Sequence, residues 1–205
     1  MRRSAAPKPP PALLRAARTK PAGILRACEA RSAGLHPRAI AAMVEAGQLV
    51  RVSRGLYHLR GSAPAEPDLA IVARKVPTAV ICLVSALSIH RLTTQIPRAI
   101  DLAVPRGFKD RLIEHPPVRF YRFGSDSLAA GIETFAVNGH DMRVYGAAKT
   151  VADCFKFRNR IGTDIAVEAL RNYVRRRGAR IDDLMAFARI NRVQAVMAPY
   201  LAALL

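Results

Sequence analysis

Three sets of side chains in this 205-residue chain have the types and spacing to do chemistry. The first is cationic: Arg38 directly follows Pro37, Arg51 and Arg60 flank a short β-rich stretch, and Ser53-Arg54-Gly55 offers a hydroxyl and a guanidinium in one turn. Such groups suit phosphate oxygens and base edges, with a positively charged head positioned by a helix start or a ribbon tip. Lys20 and Arg26 could clamp further phosphates, and His36 stands beside them at the same helix start. The second set is Asp101, Glu133 and Lys149, carboxylates and an amine near strand ends that could hold a magnesium ion for phosphodiester cleavage. Their spacing is loose. The third is the run Arg171, Arg175, Arg176, Arg177 and Arg180, which suits an acidic partner or DNA, or complements the negative end of a helix. Lys149 and Asp153 lie four residues apart and can simply pair on one helix face.

Other chemistries lack their residues. No local motif joins a nucleophile to a base, and there is no glycine-rich phosphate loop. The five histidines are scattered singly, and Cys28, Cys82 and Cys154 have no C-x-x-C spacing. No metal, disulfide framework or cofactor is expected, and the thiols imply a reducing, cytoplasmic setting.

The cationic set needs a scaffold, and residues 35–59 supply one. Pro37 suits the first turn of a helix and Gly47 its left-handed end. Ile40, Met43 and Val44 form one apolar stripe, leaving Arg38, Ala41, Ala42 and Glu45 on the opposite face, where small side chains permit close approach to a duplex. Residues 49–52 and 56–59 read as two strands around the glycine turn. Upstream, residues 26–33 read as a second helix ending at Gly34, residues 23–25 as a small strand, and residues 12–19 as an earlier helix with Leu13, Leu14 and Ala17 inward. This order is that of a winged helix-turn-helix.

Charge agrees with a polyanionic partner. The formal net charge is +18, and residues 1–60 carry 12 Lys+Arg against 2 Asp+Glu. Cations placed on phosphates release counterions and make binding steeply salt-dependent. The arginine- and alanine-rich composition also fits a high-GC coding bias. The first twenty residues are basic but contain no apolar run of signal-peptide length, and no stretch is long enough to span a membrane.

The Pro- and small-residue cluster at 61–67 reads as a boundary, giving a winged helix-turn-helix domain at 1–62 and an α+β domain at 63–205 with a helical end. In the latter, residues 68–76 and 85–91 read as helices and residues 79–82, 99–104 and 118–122 as strands. Residues 132–137 and 140–145 read as a hairpin around Asn138-Gly139. Helices follow: one with Ala148, Val151, Ala152 and Phe155 inward, and one capped by Thr163 with Ile165, Val167, Ala169, Leu170 and Val174 inward. Two more lie at 182–191 and 193–205, the last bent at Pro199.

In this order of features the chain resembles the AbiEi-like antitoxins of bacterial abortive-infection (type IV) toxin–antitoxin systems. The carriers are GILRACEARSAGLHPRAI and VSRGLYHL in the first part, CLVSALSIHRLTTQIPRAIDLAVPRG at the start of the second, and MRVYGAAKTVADCFKFRNRIG, ALRNYVRRRG and VMAPYL towards the end. The resemblance implies an N-terminal domain that represses its own operon at inverted repeats in promoter DNA. It implies a second domain that counters a nucleotidyltransferase-like toxin, directly or indirectly, and no catalytic activity. By position, residues 37–46 would be the recognition helix and residues 51–59 the wing; Ala30 stands where the family often carries leucine. The expected DNA-binding set is Lys20, Arg26, His36, Arg38, Arg51, Ser53, Arg54 and Arg60, and the expected toxin-control set is Lys149, Arg171, Arg175 and Arg176. A monomer that pairs on DNA satisfies inverted repeats. The alternatives are a metal-dependent nuclease with a DNA-docking winged helix and a ligand-responsive DNA-binding regulator.

Overall fold

The computed structural model describes residues 9–20, 23–61, 67–110, 112–137 and 140–205. Residues 62–66 of the expected boundary and the Asn138-Gly139 turn lie outside them. The chain forms two compact units, the first comprising Met1–Pro77, Glu114–Pro116 and Ala136–Met142, the second the remainder.

The first unit begins with helix α1 (Pro11–Arg18), strand β1 (Ile24–Arg26), and helices α2 (Ala27–Ser32) and α3 (Pro37–Glu45). Strands β2 (Leu49–Ser53) and β3 (Leu56–Leu59) follow, then helix α4 (Pro67–Lys75). Pro37 opens α3 and glycines at φ +90° and +66°, Gly34 and Gly47, bracket it, so backbone rules set both of its ends. Its inward residues are Ile40 and Met43, with Val44 half-buried, as the stripe requires. They join Leu13, Ala17, Leu25, Ala30, Leu35 and Leu49 in one core. Leu14, expected inward, is instead 40% exposed, since α1 presents only Leu13 and Ala17 to that core.

The three strands pair antiparallel in the order β1-β3-β2, with Ile24 opposite His58 and Val50 opposite His58 on the other side. Alternation splits their apolar residues between two faces. Leu25, Leu49, Tyr57 and Leu59 face the helical core, whereas Ile24, Leu56 and Val52 pack against Ala70 and Ile71 of α4. A polar clamp reinforces this: Arg26 donates to the Arg74 carbonyl, and Arg74 bonds Glu29 of α2. Thus α4, on the far side of the Pro- and small-residue cluster, is built into the first unit.

The second unit is α+β. Its five-stranded sheet has the order β6-β5-β4-β8-β7, from β4 (Val80–Ile81), β5 (Ile100–Pro105), β6 (Val118–Phe123), β7 (Ile132–Val137) and β8 (His140–Tyr145), the β7–β8 tips falling in the first unit. Pairing is antiparallel for β4–β5 and parallel for β4–β8 and β5–β6. Helix α5 (Leu83–Ile89) and a short α6 (Ser125–Ala129) precede the helical end: α7 (Ala147–Lys156), α8 (Arg158–Ile161), α9 (Thr163–Arg175), α10 (Ile181–Ile190) and α11 (Gln194–Ala202). Pro199 lies within α11. Residues 149–155 of α7 are all buried, and Val80, Tyr121, Phe123, Tyr145, Phe155, Leu170 and Met197 belong to one core around it. On α9 the deepest residues are Ala166, Ala169, Leu170 and Tyr173; Ile165, Val167 and Val174 flank them. Among the described residues no helix is long and apolar enough to cross a membrane.

Candidate nucleic-acid interface

The exposed residues of α3, the β2–β3 hairpin and the residue after it include Arg38, Arg51, Arg54 and Arg60. Arg38 is exposed in the first turn of α3, where the His36 ring accepts a hydrogen bond from its backbone N–H at 3.3 Å. His36 therefore caps the helix and fixes how Arg38 leaves it. Pro37, Ala41, Ala42 and Glu45 are the other exposed positions along α3, a low surface with one acid. In the hairpin, Arg51 lies opposite Tyr57 and is exposed; a register shift between Arg51 and Ser53 then leads into the turn. Gly55 sits at φ +73°, so Arg54 projects at the tip while Ser53 is half-buried. Arg60 leaves β3 with its N–H bonded to the Gln48 carbonyl at 2.9 Å and its guanidinium over the turn after α3, where a side chain on Gly47 would come within 3.0 Å of it. Glycine at 47 thus serves both the helix end and this arginine.

Lys20 and Arg26 are placed otherwise. The Lys20 ammonium stands 3.6 Å from Glu29, and Arg26 is half-buried with a guanidinium nitrogen on the Arg74 carbonyl. Both expected phosphate clamps are turned onto the unit's own residues. Glu29 is the group that sequence reasoning missed: its side chain also accepts from the Arg26 N–H at 2.8 Å. Partial burial works to raise its pKa, but that bond, Arg74 and Lys20 outweigh it and hold the carboxyl below its usual range. A glutamate three residues into a helix start was the available signal.

In the second unit the expected toxin-control residues separate into two classes. Arg171, Arg175 and Arg176 are exposed, with Arg176 lying 6.0 Å from the Tyr173 ring centroid. Because α9 ends at Arg175, only that residue of the three occupies its last turn; Arg176 is the cap, Arg177 lies beyond, and Arg180 pairs with Asp183 at 3.1 Å. Lys149 has no exposed surface and cannot reach a partner in this fold, which corrects its assignment to a docking surface. Its ammonium is 2.5 Å from Asp153 and 4.1 Å from the Tyr145 ring centroid, the pairing that the four-residue spacing allows. Asn191 donates to the same Asp153 oxygen at 2.7 Å, and Ser127 donates to Asn191 at 2.6 Å. Burial pushes Asp153 up and Lys149 down, each opposed by the other's charge.

The magnesium triad is not assembled. Asp101 is buried and bonded to Arg119 at 2.8 Å, while Glu133 and Lys149 border a different cavity of about 460 Å³ with Arg176 and Phe187. Among the described residues no three His, Cys, Asp or Glu side chains are grouped to hold a metal.

The chain is similar in fold to the crystal structure of RV2827C protein from Mycobacterium tuberculosis, over 98% of its own length and 84% of that chain, with a TM-score of 0.50 and 16% sequence identity. No curated protein matches it. Residues 11–59, which run from the start of α1 to the end of β3, match the model of a transcriptional regulator family, AbiEi antitoxin.

Proposed function

We propose that the first unit is a winged helix-turn-helix that binds promoter DNA, and that the chain is a cytoplasmic antitoxin and autorepressor whose second unit restrains a nucleotidyltransferase-like toxin. The observation that carries the DNA reading is the exposure of Arg38, Arg51 and Arg54 on α3 and the hairpin, within the family-matched segment, and of Arg60 just after it. In this reading α3 enters the major groove, where Arg38 meets a base edge or phosphate and the alanines allow depth. Arg54 at the ribbon tip meets backbone or minor groove, and Arg51, Arg60 and Ser53 supply phosphate contacts. Two copies on an inverted repeat would place two such heads about one helical turn apart.

Two assays test it. A labelled fragment of the chain's own promoter should be retarded by the full chain, and unrelated duplex should compete poorly for it. Co-expression of the full chain with a nucleotidyltransferase-like toxin of such a system should restore growth. Absence of promoter preference removes the repressor role, and absence of rescue removes the antitoxin role.

A further inference from the structure

The cavity of about 460 Å³ lies wholly within the second unit, between β7, the start of α7, the end of α9 and α10. Its size is that of a small-molecule site, roughly 300–1,000 Å³ in most proteins. Backbone closes part of it. A Cβ at Gly131, where φ is +68°, would come within 2.8 Å of the Lys149 Cβ and 2.9 Å of the Phe187 ring, and a Cβ at Gly146 would collide with the Glu133 carboxylate. Neither position admits a side chain, which leaves the Phe187 ring and the Glu133 carboxylate beside bare backbone. Tyr173 lines the cavity as well, and its hydroxyl is already occupied: it donates to the Arg180 carbonyl at 3.0 Å and accepts from the Arg180 N–H at 3.1 Å. Only the ring is left for a ligand.

The charged residues of the lining divide into closed pairs and open groups. Lys149 holds its ammonium on Asp153 with no exposed surface, and Arg180 bonds Asp183 at 3.1 Å. Glu133 and Arg176 are exposed, and among the described residues neither side chain has a hydrogen bond or an ion pair. One free carboxylate and one free guanidinium therefore border the same aromatic cavity, which suits a flat molecule carrying both N–H donors and an anion. A carboxylate is acceptor-only and takes two parallel N–H donors best. Of the common nucleobases guanine presents two side by side, N1–H and the N2 amino group, whereas adenine and cytosine set an amino donor beside a ring acceptor. The guanidinium fork matches phosphate oxygens, and aromatic rings stack on a base. A simple amino acid would satisfy both charges and leave the rings uncovered.

We propose that this cavity binds a guanine nucleotide, with Glu133 accepting from the base edge, the rings of Phe187 and Tyr173 covering the base, and Arg176 on the phosphate. The site belongs to the second unit alone and depends on neither the antitoxin nor the repressor reading.

The test is calorimetric titration of the full chain with guanosine monophosphate, adenosine monophosphate and guanosine at about 150 mM salt, where general attraction to a cationic protein is screened. The guanine nucleotide should bind in the micromolar range, and the adenine nucleotide, of equal charge, about 10-fold or more weakly, because it leaves one carboxylate oxygen without a donor. Glu133→Gln should weaken the guanine nucleotide by about 10-fold or more and narrow its lead over the adenine nucleotide. Arg176→Gln should lower its affinity to that of guanosine while leaving guanosine binding unchanged. Both positions are exposed, so both variants should keep the thermal midpoint of the unaltered chain. Arg175→Gln, exposed but outside the lining, should bind as the unaltered chain does. No saturable binding of guanosine monophosphate, equal affinity for the two nucleotides, full affinity in either lining variant, or an equal loss in Arg175→Gln would each overturn the site.

Discussion

Replacing Lys149 by methionine isolates the most consequential charge in the second unit. The ammonium is buried between Asp153 at 2.5 Å and the rings of Tyr145 and Phe123, whose centroids lie at 4.1 and 5.0 Å. Methionine fills similar space but leaves Asp153 with only Asn191 at 2.7 Å, and the second Asp153 oxygen already has no hydrogen-bond partner. Breaking such a pair from one side costs about 3–5 kcal/mol, because a buried charge is left uncompensated. Removing both sides is different: Lys149→Met with Asp153→Leu relieves the desolvation of two ions, a gain of about 1–4 kcal/mol, and leaves the Asn191 amide unsatisfied, a loss of about 1–3 kcal/mol. The double variant should therefore lie near the unaltered chain and well above the single one. A pH signature separates this from loss of packing. In the folded single variant the Asp153 carboxyl, already raised by burial, loses its opposing cation and rises further. Its folded proton affinity then exceeds its unfolded one, so stability is gained as pH falls from 7 towards the unfolded carboxylate range near 4. Urea unfolding at pH 7 and pH 5 reads both effects. A single-variant loss below about 1 kcal/mol at pH 7, a deficit that does not shrink at pH 5, or a double variant less stable than the single would refute the reasoning.

Two further outcomes follow from the same structure. Met43→Ala, in a core of eight buried apolar residues, should destabilise the first unit by about 2–5 kcal/mol and lower its thermal midpoint, as read by calorimetry on the full chain. Glu168 is also sensitive to acid: partial burial alone would raise its carboxyl, but the Thr94 N–H and the Thr93 and Thr94 hydroxyls, which tie the loop after α5 to it, and Arg171 outweigh this and hold it below the usual carboxylate range. Its depressed folded value means the loop tie is fully present above the unfolded value and is lost as pH falls through the lower folded one. Amide exchange at Thr94 and Gln95, compared with that in Glu168→Gln, should converge between the two chains only in that acidic window.

The α3 and hairpin segment was legible because local rules and tertiary burial agree there. Pro37, Gly47 and Gly55 mark the ends and the turn, and Ile40 and Met43 point where their spacing says. The strands of the second unit were legible from alternation and β-branched composition, whereas α6 and α8, of 5 and 4 residues, are too short to carry a periodic pattern. On α9 the inward stripe ends at Tyr173, whose hydroxyl accepts from the Arg180 N–H at 3.1 Å, a bond beyond the helix end that no pattern discloses. The packing of α4 on β1 and β3 was hidden because Gly61 and Pro67 give the composition of a boundary whether or not the chain folds back. Cations were the least legible class. Arg38 and Arg26 read alike in the sequence, and only the position of the Arg74 carbonyl and Glu29 turns Arg26 inward. The cavity lined by Val84, Ile96, Arg119 and Arg160 is assembled from four separate segments and was invisible for that reason.

The salt dependence of promoter binding tests the central claim most directly. Arg38, Arg51, Arg54 and Arg60 give four outward cations per copy, so the logarithm of the binding constant should fall with that of salt at a slope of about −3.6, a loss of ~150-fold between about 50 and 200 mM. Arg38→Ala with Arg54→Ala should reduce that slope by about 1.8 per copy. A flat salt response, or a slope unchanged in the double variant, would contradict the account.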